Sequence, residues 1–525
     1  MEEKYFVIAI GGTGMRCLEA FIHTCAMGMY DDKEITILAL DTDQENGNFL
    51  RVIELIKNYN NIKDLNDQRR ISRKDTVFSA KLNFFKYSPD YHDPNKNGRF
   101  TSLFDYSKQD DRDIANLLLS KNVREFDLKH GYRAQTHLGS LLMYHSMLAD
   151  IRRFHDGDLS RFIKLIFDAT NTSKPKVFVF GSVFGGTGAS SIPVIPKAFE
   201  AGIDILDPGK SIKNVLFGAI LLTSYFKFPT PDPMQRTQEK IVATHNNFSI
   251  NSQAAMMFYD RDETVKSTYR KFYVIGTESL DYETQQDGNK PVTGGKDQEN
   301  DCHFIELIAA FAAYDFFKTS VDNLREETDK YYFRAINSNG KLELNDFVDI
   351  SEQEKLATRF AALVIMSFLA NHPKVEFFSQ AKAGGIENFQ GYTDIDLQQI
   401  NALMDYMKLF HYSVDENKNI KDGWLRQVHR SAGSSDKFLF HPELFGISKY
   451  KELEKFDWGR YLYCEDNEYS KCTYYKTLGK GPFEKFKSGF LGESDPKEYA
   501  NKMEMLLKRS FDTILKMYQL PGKKA

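Results

Sequence analysis

Residues 177–190 read Val-Phe-Val-Phe-Gly-Ser-Val-Phe-Gly-Gly-Thr-Gly-Ala-Ser, and this stretch decides the fold of the 525-residue chain. The apolar run at 177–180 predicts a buried strand, and the segment from Ala189 to Ala201 predicts a helix. Glycines at such a turn permit positive φ and close backbone approach, so backbone N–H groups can face a ligand where the helix starts. The stretch therefore predicts a phosphate site; a tight turn without a ligand is the alternative.

This glycine loop has no Lys at the P-loop position, so it is not a Walker A sequence. Phosphate would instead be held by backbone N–H groups, by the Thr187 and Ser190 hydroxyls and by the positive end of the following helix. The candidate phosphate-binding residues of this loop are Gly185, Gly186, Thr187, Gly188, Ala189 and Ser190.

Another glycine loop, Ile10-Gly11-Gly12-Thr13-Gly14, follows the strand-like run Tyr5 to Ile10. Its spacing comes close to the dinucleotide-binding fingerprint, and Asp41 ends the next predicted strand, where a ribose-binding acid is expected. Two features count against that site: Cys17 replaces the third small residue, and a dinucleotide gives no reason for a second glycine loop. A dinucleotide-dependent oxidoreductase stays open as an alternative.

Strand-like runs alternate with helix-like segments through residue 318, which predicts an α/β fold with a Rossmann-like parallel sheet and helices on both faces. The predicted strands are Tyr5 to Ile10, Ile35 to Leu40, Val177 to Phe180, Val215 to Leu222 and Phe272 to Ile275. The predicted divisions are a nucleotide-binding domain at 1–302 with an insertion at about 44–130, a central helix at 303–318, and a divergent α+β C-terminal domain at 319–525 with a C-terminal helix at 496–518.

Composition and charge are those of an ordinary globular chain, with 42% hydrophobic residues, 27% charged residues and a net charge of −4. This balance gives no strong sign of nucleic-acid binding. The five cysteines have neither disulfide-like nor metal-like spacing, which favours free thiols in a reducing compartment. The longest apolar stretch, 360–370, is too short to span a bilayer, and no signal-peptide pattern opens the chain, so we expect a cytoplasmic protein.

The order and content of the glycine loops resemble the tubulin/FtsZ superfamily, over roughly residues 1–318. Residues 179–195 resemble the signature loop of that family and the helix after it, and residues 10–14 resemble its first phosphate loop. The resemblance implies a GTP or GDP site with Mg²⁺ over the strand ends of a Rossmann-like GTPase domain. It also implies a prokaryotic, cytoskeletal protein that assembles head to tail with itself into filaments.

The loops between the two glycine loops extend the resemblance. Asp41-Thr42-Asp43 resembles the Asn-Thr-Asp of the FtsZ branch, which makes Asp41, Thr42 and Asp43 expected nucleotide contacts and Asp43 the expected Mg²⁺ ligand. The segment Gly131 to Gly139 has the glycine and alanine spacing of the loop that senses the terminal phosphate. The residues that this loop assigns are Ala134, Gln135 and Thr136.

Further positions follow from the same resemblance, each with an alternative. Asp232 and Arg236 have the spacing of the FtsZ acid and arginine that contact ribose and phosphate, although the start of a helix explains Asp232 equally well. Residues 346–349, Asp-Phe-Val-Asp, resemble the synergy loop, whose two acids activate water on the neighbouring subunit's nucleotide. This assigns Asp346 and Asp349 as catalytic acids, and a helix-capping pair is the alternative.

The base end of the pocket departs from the family pattern. Gly276-Thr277-Glu278-Ser279 lacks the family's guanine-reading Asn, which leaves Asn300, His303 and Glu306 as nearby candidates for base contacts. A structural role at a helix start is the alternative for His303. GTP is thus implied by the family and not by these residues.

These observations lead to one main hypothesis and two alternatives. The main hypothesis is a GTP-binding protein that forms nucleotide-dependent filaments and hydrolyses GTP at the subunit interface. The first alternative is a switch or scaffold that binds nucleotide without hydrolysis in a prokaryotic defence or plasmid-maintenance complex, and the second is the oxidoreductase. In each case we expect other protein partners to contact the C-terminal region.

Overall fold

The fold is given by a computed structural model of the chain. It describes residues 3–31, 33–43, 45–63, 76–89, 109–125, 128, 132, 136–227, 247–277, 286–287, 290–291, 295–298, 300–326, 331–336, 350–371, 377–383, 393–417, 419–431, 482–492 and 502–517.

Strands and helices alternate along the described residues up to β9, and the described residues after it are mostly helical. The strands are β1 Tyr5–Ile10, β2 Glu34–Leu40, β3 Lys81–Tyr87, β4 Lys176–Ser182, β5 Leu216–Leu222, β6 Tyr269–Thr277, β7 Gln286–Asp287, β8 Lys290–Pro291, β9 Tyr331–Ile336, β10 Tyr412–Val414 and β11 Ile420–Asp422. The first helices are α1 Gly11–Ala26, α2 Gly47–Lys63, α3 Gln109–Leu118, α4 Lys121–Glu125, α5 Thr136–Arg153, α6 Asp158–Ala169, α7 Gly186–Ser191, α8 Ile195–Leu206, α9 Phe248–Arg261 and α10 Glu263–Thr268. The later helices are α11 Phe304–Lys318, α12 Val321–Glu326, α13 Ile350–Asn371, α14 Phe377–Lys382, α15 Asp394–Phe410, α16 Trp424–Ser431, α17 Pro482–Gly492 and α18 Lys502–Met517.

Seven strands form one parallel sheet in the order β3-β2-β1-β4-β5-β6-β9. The chain builds outward from β1 to β3, returns to the other side of β1 with β4, and then builds outward again. Strands β1, β4 and β5 are buried over their whole length. Burial on both faces explains why these strands are continuous apolar runs and do not alternate with polar residues.

All five predicted strands are confirmed, as β1, β2, β4, β5 and β6, but two strands of the sheet were missed. Strand β3 reads Lys-Leu-Asn-Phe-Phe-Lys-Tyr and lies half-exposed at one edge, where polar side chains weaken the strand signal. Strand β9 forms the opposite edge. The predicted insertion at about 44–130 contains α2, which contributes to the core on one face of the sheet, and β3, which is a strand of the sheet. The domain boundaries stay predictions.

Helices cover both faces of the sheet, and each face has its own apolar core. Val7 and Ala9 of β1 point into one core, which contains residues of α1, α2, α11 and the helices from α13 onward. Phe6 and Ile8 point into the other, which contains residues of α5, α6, α8 and α9. The alternation follows from the two-residue period of a strand.

Helix α11 covers residues 304–318 of the predicted central helix, and α18 runs from Lys502 to Met517 within the range predicted for the C-terminal helix. Helix α15 packs against α2 and α13 on the α1 side of the sheet, so the described C-terminal helices share a core with that face. Among the described helices, none is long and apolar enough to cross a membrane.

Candidate phosphate-binding site

Both glycine loops lie where the carboxyl ends of the parallel strands meet. They follow β1 and β4, which are adjacent and parallel, and the chain departs from these two strands toward opposite sides of the sheet. Ligands of open α/β sheets bind at such a switch point, outside the carboxyl ends of the strands. We call this region the phosphate edge: the carboxyl ends of β1, β2 and β4 with the starts of α1, α2 and α7.

The glycines of the first loop allow β1, α1 and the second loop to approach one another closely. Gly11 has φ +66°, and a Cβ placed on it would lie 3.2 Å from the Cβ of Thr187. A Cβ at Gly14 would lie 2.8 Å from the carbonyl oxygen of Phe180, which is backbone and cannot move aside. Gly11 and Gly14 are therefore required by the fold itself.

The second loop turns into a helix earlier than the sequence predicted. Helix α7 starts at Gly186, breaks after Ser191 and is followed by α8 from Ile195. Proline in the first turn of α8 fits this restart, because proline suits the beginning of a helix and interrupts one that is already running. A Cβ at Gly188 would lie 2.7 Å from the carbonyl oxygen of Ser182, so this glycine too is needed for close packing.

The starts of α1 and α7 are both without side-chain caps. The residues at the N-cap positions are Ile10 and Gly185, neither of which caps through a side chain, and no acidic residue lies in the first turn of either helix. The first N–H groups of a helix have no partner within the helix, and the positive end of its dipole attracts anions. An anion at this edge would satisfy groups that the chain itself leaves without a cap.

Exposure separates the residues that could touch a ligand from those that shape the loops. The half-buried residues are Gly12, Thr13, Gly185, Gly186 and Thr187. The buried ones are Gly11, Gly14, Gly188, Ala189 and Ser190. The Ser190 hydroxyl donates to the carbonyl oxygen of Thr187 at 3.0 Å, so in this structure Ser190 holds the loop, and the Thr187 hydroxyl is the accessible one.

The carboxyl end of β2 adds two buried acids with different surroundings. Asp41 is 4% exposed, and its Oδ2 has no hydrogen-bond partner in the structure. Burial, helped by the charge of Asp43, raises the pKa of Asp41 to about 7. Thr42 lies between the two acids, with its hydroxyl oxygen 3.4 Å from that of Thr187, which joins the end of β2 to the second glycine loop.

Asp43, the expected Mg²⁺ ligand, is used by the backbone around it. Its Oδ1 accepts a hydrogen bond from the N–H of Glu45 at 3.1 Å, and its Oδ2 accepts one from the N–H of Gly295 at 2.6 Å. The described residues contain no group of three acidic, His or Cys side chains that could hold a metal ion. Asp41, with an unpartnered buried oxygen, fits a bound cation better than Asp43, because Mg²⁺ beside a nucleotide takes one or two carboxylates and fills its other positions with phosphate and water.

Sequence reasoning missed the loop between β2 and α2. Asn46 caps α2, since its Oδ1 accepts a hydrogen bond from the N–H of Asn48 at 2.9 Å. Its Nδ2 donates to Oε1 of Gln298 at 2.5 Å, and the N–H of Gly47 donates to the carbonyl oxygen of Gly295 at 3.2 Å. The signal was present in the sequence as an Asn followed by Gly and an apolar helical pattern.

The candidate base contacts lie at the start of α11. His303 is its N-cap: Nδ1 accepts a hydrogen bond from the N–H of Ile305 at 3.2 Å, and Glu306 accepts one from the N–H of His303 at 2.9 Å. Burial and the nearby charge of Arg16 lower the pKa of His303 to about 3, which keeps the ring neutral and able to accept. The structure thus gives His303 a capping role, while Asn300 is buried three residues before it.

Near the N-cap residue His303, arginines form ion pairs with glutamates. Arg16 of α1 lies with its Nε 2.6 Å from Oε1 of Glu306, and both side chains are almost completely buried. The Tyr225 hydroxyl donates to the same carboxylate at 2.7 Å. Nearby, Arg51 of α2 donates to Oε1 of Glu19 at 2.9 Å. We call residues 302–306 with Arg16 and Tyr225 the α11 start.

Several predicted site residues cannot be placed. Thr136 is the first residue of α5 and is half-buried. The predicted residues Ala134, Gln135, Asp232, Arg236, Asp346 and Asp349 lie outside the described residues. The structure therefore brings together the two glycine loops with Asp41, Thr42 and Asp43, and it leaves the catalytic acids as predictions.

No model of a known protein family matches this chain, and no curated protein matches it either. Any assignment of a ligand therefore depends on the geometry of the phosphate edge.

Proposed function

We propose that the chain binds the phosphates of a nucleotide at the phosphate edge, and that it is a tubulin/FtsZ-like GTP-binding protein. One observation carries the proposal: two uncapped helix starts, each with an accessible Gly-Thr pair, meet at the switch point of a parallel sheet. Helix dipoles, backbone N–H groups and accessible hydroxyls are the groups that bind phosphate where no Lys is present.

The chemistry of phosphoryl transfer needs charge neutralisation and positioning. The amides at the start of α1 and the hydroxyls of Thr13 and Thr187 would position the phosphates. Mg²⁺ would be held by Asp41, directly or through water, and would neutralise phosphate charge. Asp43 would keep the β2–α2 loop in place through its bonds to Glu45 and Gly295.

Self-assembly and hydrolysis come to the proposal from the sequence resemblance. If Asp346 and Asp349 act on the neighbouring subunit's nucleotide, hydrolysis requires a head-to-tail contact. A contact of this heterologous kind, when repeated, produces a filament. The rate of phosphate release per subunit should therefore rise with protein concentration.

The decisive experiment measures GTP binding first and assembly second. We expect purified protein to bind fluorescent GTP with Mg²⁺, to pellet with GTP but not with GDP, and to release phosphate at a rate per subunit that increases with concentration. Absence of binding to GTP, ATP and GDP at millimolar concentrations would overturn the proposal. Binding without pelleting or phosphate release would favour the switch or scaffold instead.

Removal of the Thr187 hydroxyl tests whether the nucleotide binds at the second glycine loop. Thr187→Val keeps the shape of a half-buried side chain and removes its hydroxyl, so we expect GTP affinity to fall about fivefold to tenfold, the worth of one hydrogen bond. Thr264→Val is the matched control, because Thr264 is also half-buried but lies on α10, away from the glycine loops. Equal affinities of the two variants would place the nucleotide elsewhere.

One observation favours a second candidate, a dinucleotide-binding oxidoreductase. The strand order β3-β2-β1-β4-β5-β6 is that of dinucleotide-binding domains, and Asp41 directly follows β2, where such domains bind a ribose hydroxyl. This candidate predicts that NAD or FAD competes with fluorescent GTP at micromolar concentration. It also predicts that the purified protein shows flavin absorbance or that denaturation releases a nicotinamide dinucleotide from it.

A further inference from the structure

Asn48, at the start of α2, has a polar side chain that makes no hydrogen bond to the described residues. It is the second residue of α2 and is 4% exposed. Its backbone N–H donates to Asn46, but its side-chain amide makes no hydrogen bond to any residue that the structure describes. A side-chain amide that makes no bond within the protein can donate to a ligand.

The amide of Asn48 faces the first glycine loop. A Cβ placed on Gly12 would lie 3.6 Å from Nδ2 of Asn48 and 3.7 Å from Nδ2 of Asn46. Gly12 is half-buried and belongs to the uncapped first turn of α1. The amide donor of Asn48 therefore lies beside an accessible glycine in the first turn of α1.

The loop that carries Asn48 is held from outside by a short turn at residues 295–298. Asp43, Asn46 and Gly47 each hydrogen-bond to this turn, through Gly295 or Gln298. Since Asn46 is the cap of α2, these bonds also fix the position of Asn48. A donor fixed in advance loses little conformational entropy when a ligand binds.

We infer that Asn48 is a phosphate-binding residue, which donates its side-chain amide to a phosphate of the bound nucleotide beside Gly12. The inference rests on the proposed function and adds a side-chain donor where the glycine loops provide no Lys. Asn46 and the turn at 295–298 are positioning residues, which hold Asn48 without touching the ligand.

Asn48→Asp tests the assignment. The substitution keeps the shape of the side chain and replaces the donor with a negative oxygen that repels phosphate. A carboxylate in the first turn of a helix is favourable, and α2 has no acid there, but burial of its charge acts in the opposite direction, so the melting temperature of the variant is measured together with its affinity. Asn58→Asp is the matched control, because Asn58 is half-buried on the same helix but about three turns away.

The measurement is competition by GTP, GDP and pyrophosphate against fluorescent GTP. We expect Asn48→Asp to weaken all three by about 10- to 100-fold and Asn58→Asp to change none by more than about twofold. Unchanged affinities in Asn48→Asp would overturn the inference while leaving the proposed function intact. Weaker GTP with unchanged pyrophosphate would also overturn it, because Asn48 would then contact sugar or base. If the wild-type chain binds none of the three, the proposed function fails and the inference fails with it.

Discussion

Helix α1 contributes to two polar regions that differ in one respect. At the phosphate edge, the buried Oδ2 of Asp41 has no hydrogen-bond partner, and the side-chain amide of Asn48 makes no bond to the described residues. At the α11 start, Arg16 forms an ion pair with Glu306, and the Tyr225 hydroxyl and the N–H of His303 donate to the same carboxylate. The charges of the α11 start are paired within the protein, whereas the phosphate edge keeps groups that a ligand could bind.

The difference separates stability from binding. A buried network of paired charges offers a ligand little, because removing one partner leaves the other charge buried alone, whereas a buried group without a partner reduces stability unless a ligand binds to it. Substitutions at the α11 start should therefore change stability with little effect on nucleotide affinity. Substitutions of the groups at the phosphate edge that lack partners should change nucleotide affinity, and without a ligand they should stabilise the protein or leave its stability unchanged.

The largest effect is expected for Glu306→Ala. It leaves the guanidinium of Arg16 buried without its carboxylate, which should lower the free energy of unfolding by about 3 to 5 kcal/mol. Urea denaturation with two spectroscopic probes measures it. Asp405→Ala is the control, because its ion pair with Lys408 is largely exposed and should contribute less than about 1 kcal/mol.

A double variant checks the reason for this loss. Arg16→Met combined with Glu306→Leu removes both charges and should recover most of the stability. GTP affinity of the double variant should match that of the wild type. A loss below 1 kcal/mol in Glu306→Ala, or no recovery in the double variant, would mean that the α11 start is not a paired network of this kind.

Asp41→Asn should act in the opposite direction. The folded-state pKa of Asp41, about 7, lies above its ordinary value of 3.8, so the folded state holds the proton more tightly than the unfolded state. The protonated side chain of Asp41 therefore favours the folded state fully below pH 3.8, and this stabilisation is lost as the pH rises through 7. Without nucleotide or Mg²⁺, Asp41→Asn should stabilise the protein at pH 8 by up to about 4 kcal/mol and have little effect at pH 4.

Thermal unfolding of the wild type and of Asp41→Asn at pH 4, 6 and 8 measures this pH dependence of stability. Asp43→Asn is the comparison, because the oxygens of Asp43 accept two backbone N–H bonds and its loss should destabilise the β2–α2 loop. With Mg²⁺ and GTP present, the gain from Asp41→Asn should shrink, since a cation favours the charged carboxylate. An equal gain at all three pH values would show that ionisation of Asp41 is not its source.

His303→Ala should have a smaller effect that decides between two roles. Loss of a helix cap costs about 0.5 to 2 kcal/mol, and His303→Asn should restore most of this because Asn is a good cap. If His303 is only a cap, neither variant changes the ratio of GTP to ATP affinity. A shift of that ratio in His303→Asn, with stability restored, would make His303 a base contact.

The sequence predicted those parts of the molecule in which a local pattern determines the structure. Apolar runs buried on both faces made β1, β2, β4, β5 and β6 visible, and glycines marked both loops. The edge strand β3 was hidden because its polar residues face solvent and its pairing partner is distant along the chain. For the same reason the pairing of Arg16 with Glu306 and the approach of Asn48 to Gly12 could not be predicted, since each joins residues from different helices or loops.

The smallest effect on stability, and a sharp test of the comparison, is expected for Gly12→Ala. Gly12 does not have a positive φ, and the added Cβ would make ordinary contacts at 3.6 and 3.7 Å with the Asn48 and Asn46 amides. Alanine in the first turn of α1 should therefore stabilise the protein by about 0.4 to 1 kcal/mol. The same methyl group would occupy the space beside the Asn48 amide and should weaken GTP binding about tenfold.

Gly11→Ala provides the contrast. Gly11 has φ +66°, and its added Cβ would lie 3.2 Å from the Cβ of Thr187, so this substitution should be destabilising. A Gly12→Ala variant that binds GTP as tightly as the wild type would mean that the open side of the phosphate edge is not where the phosphate lies.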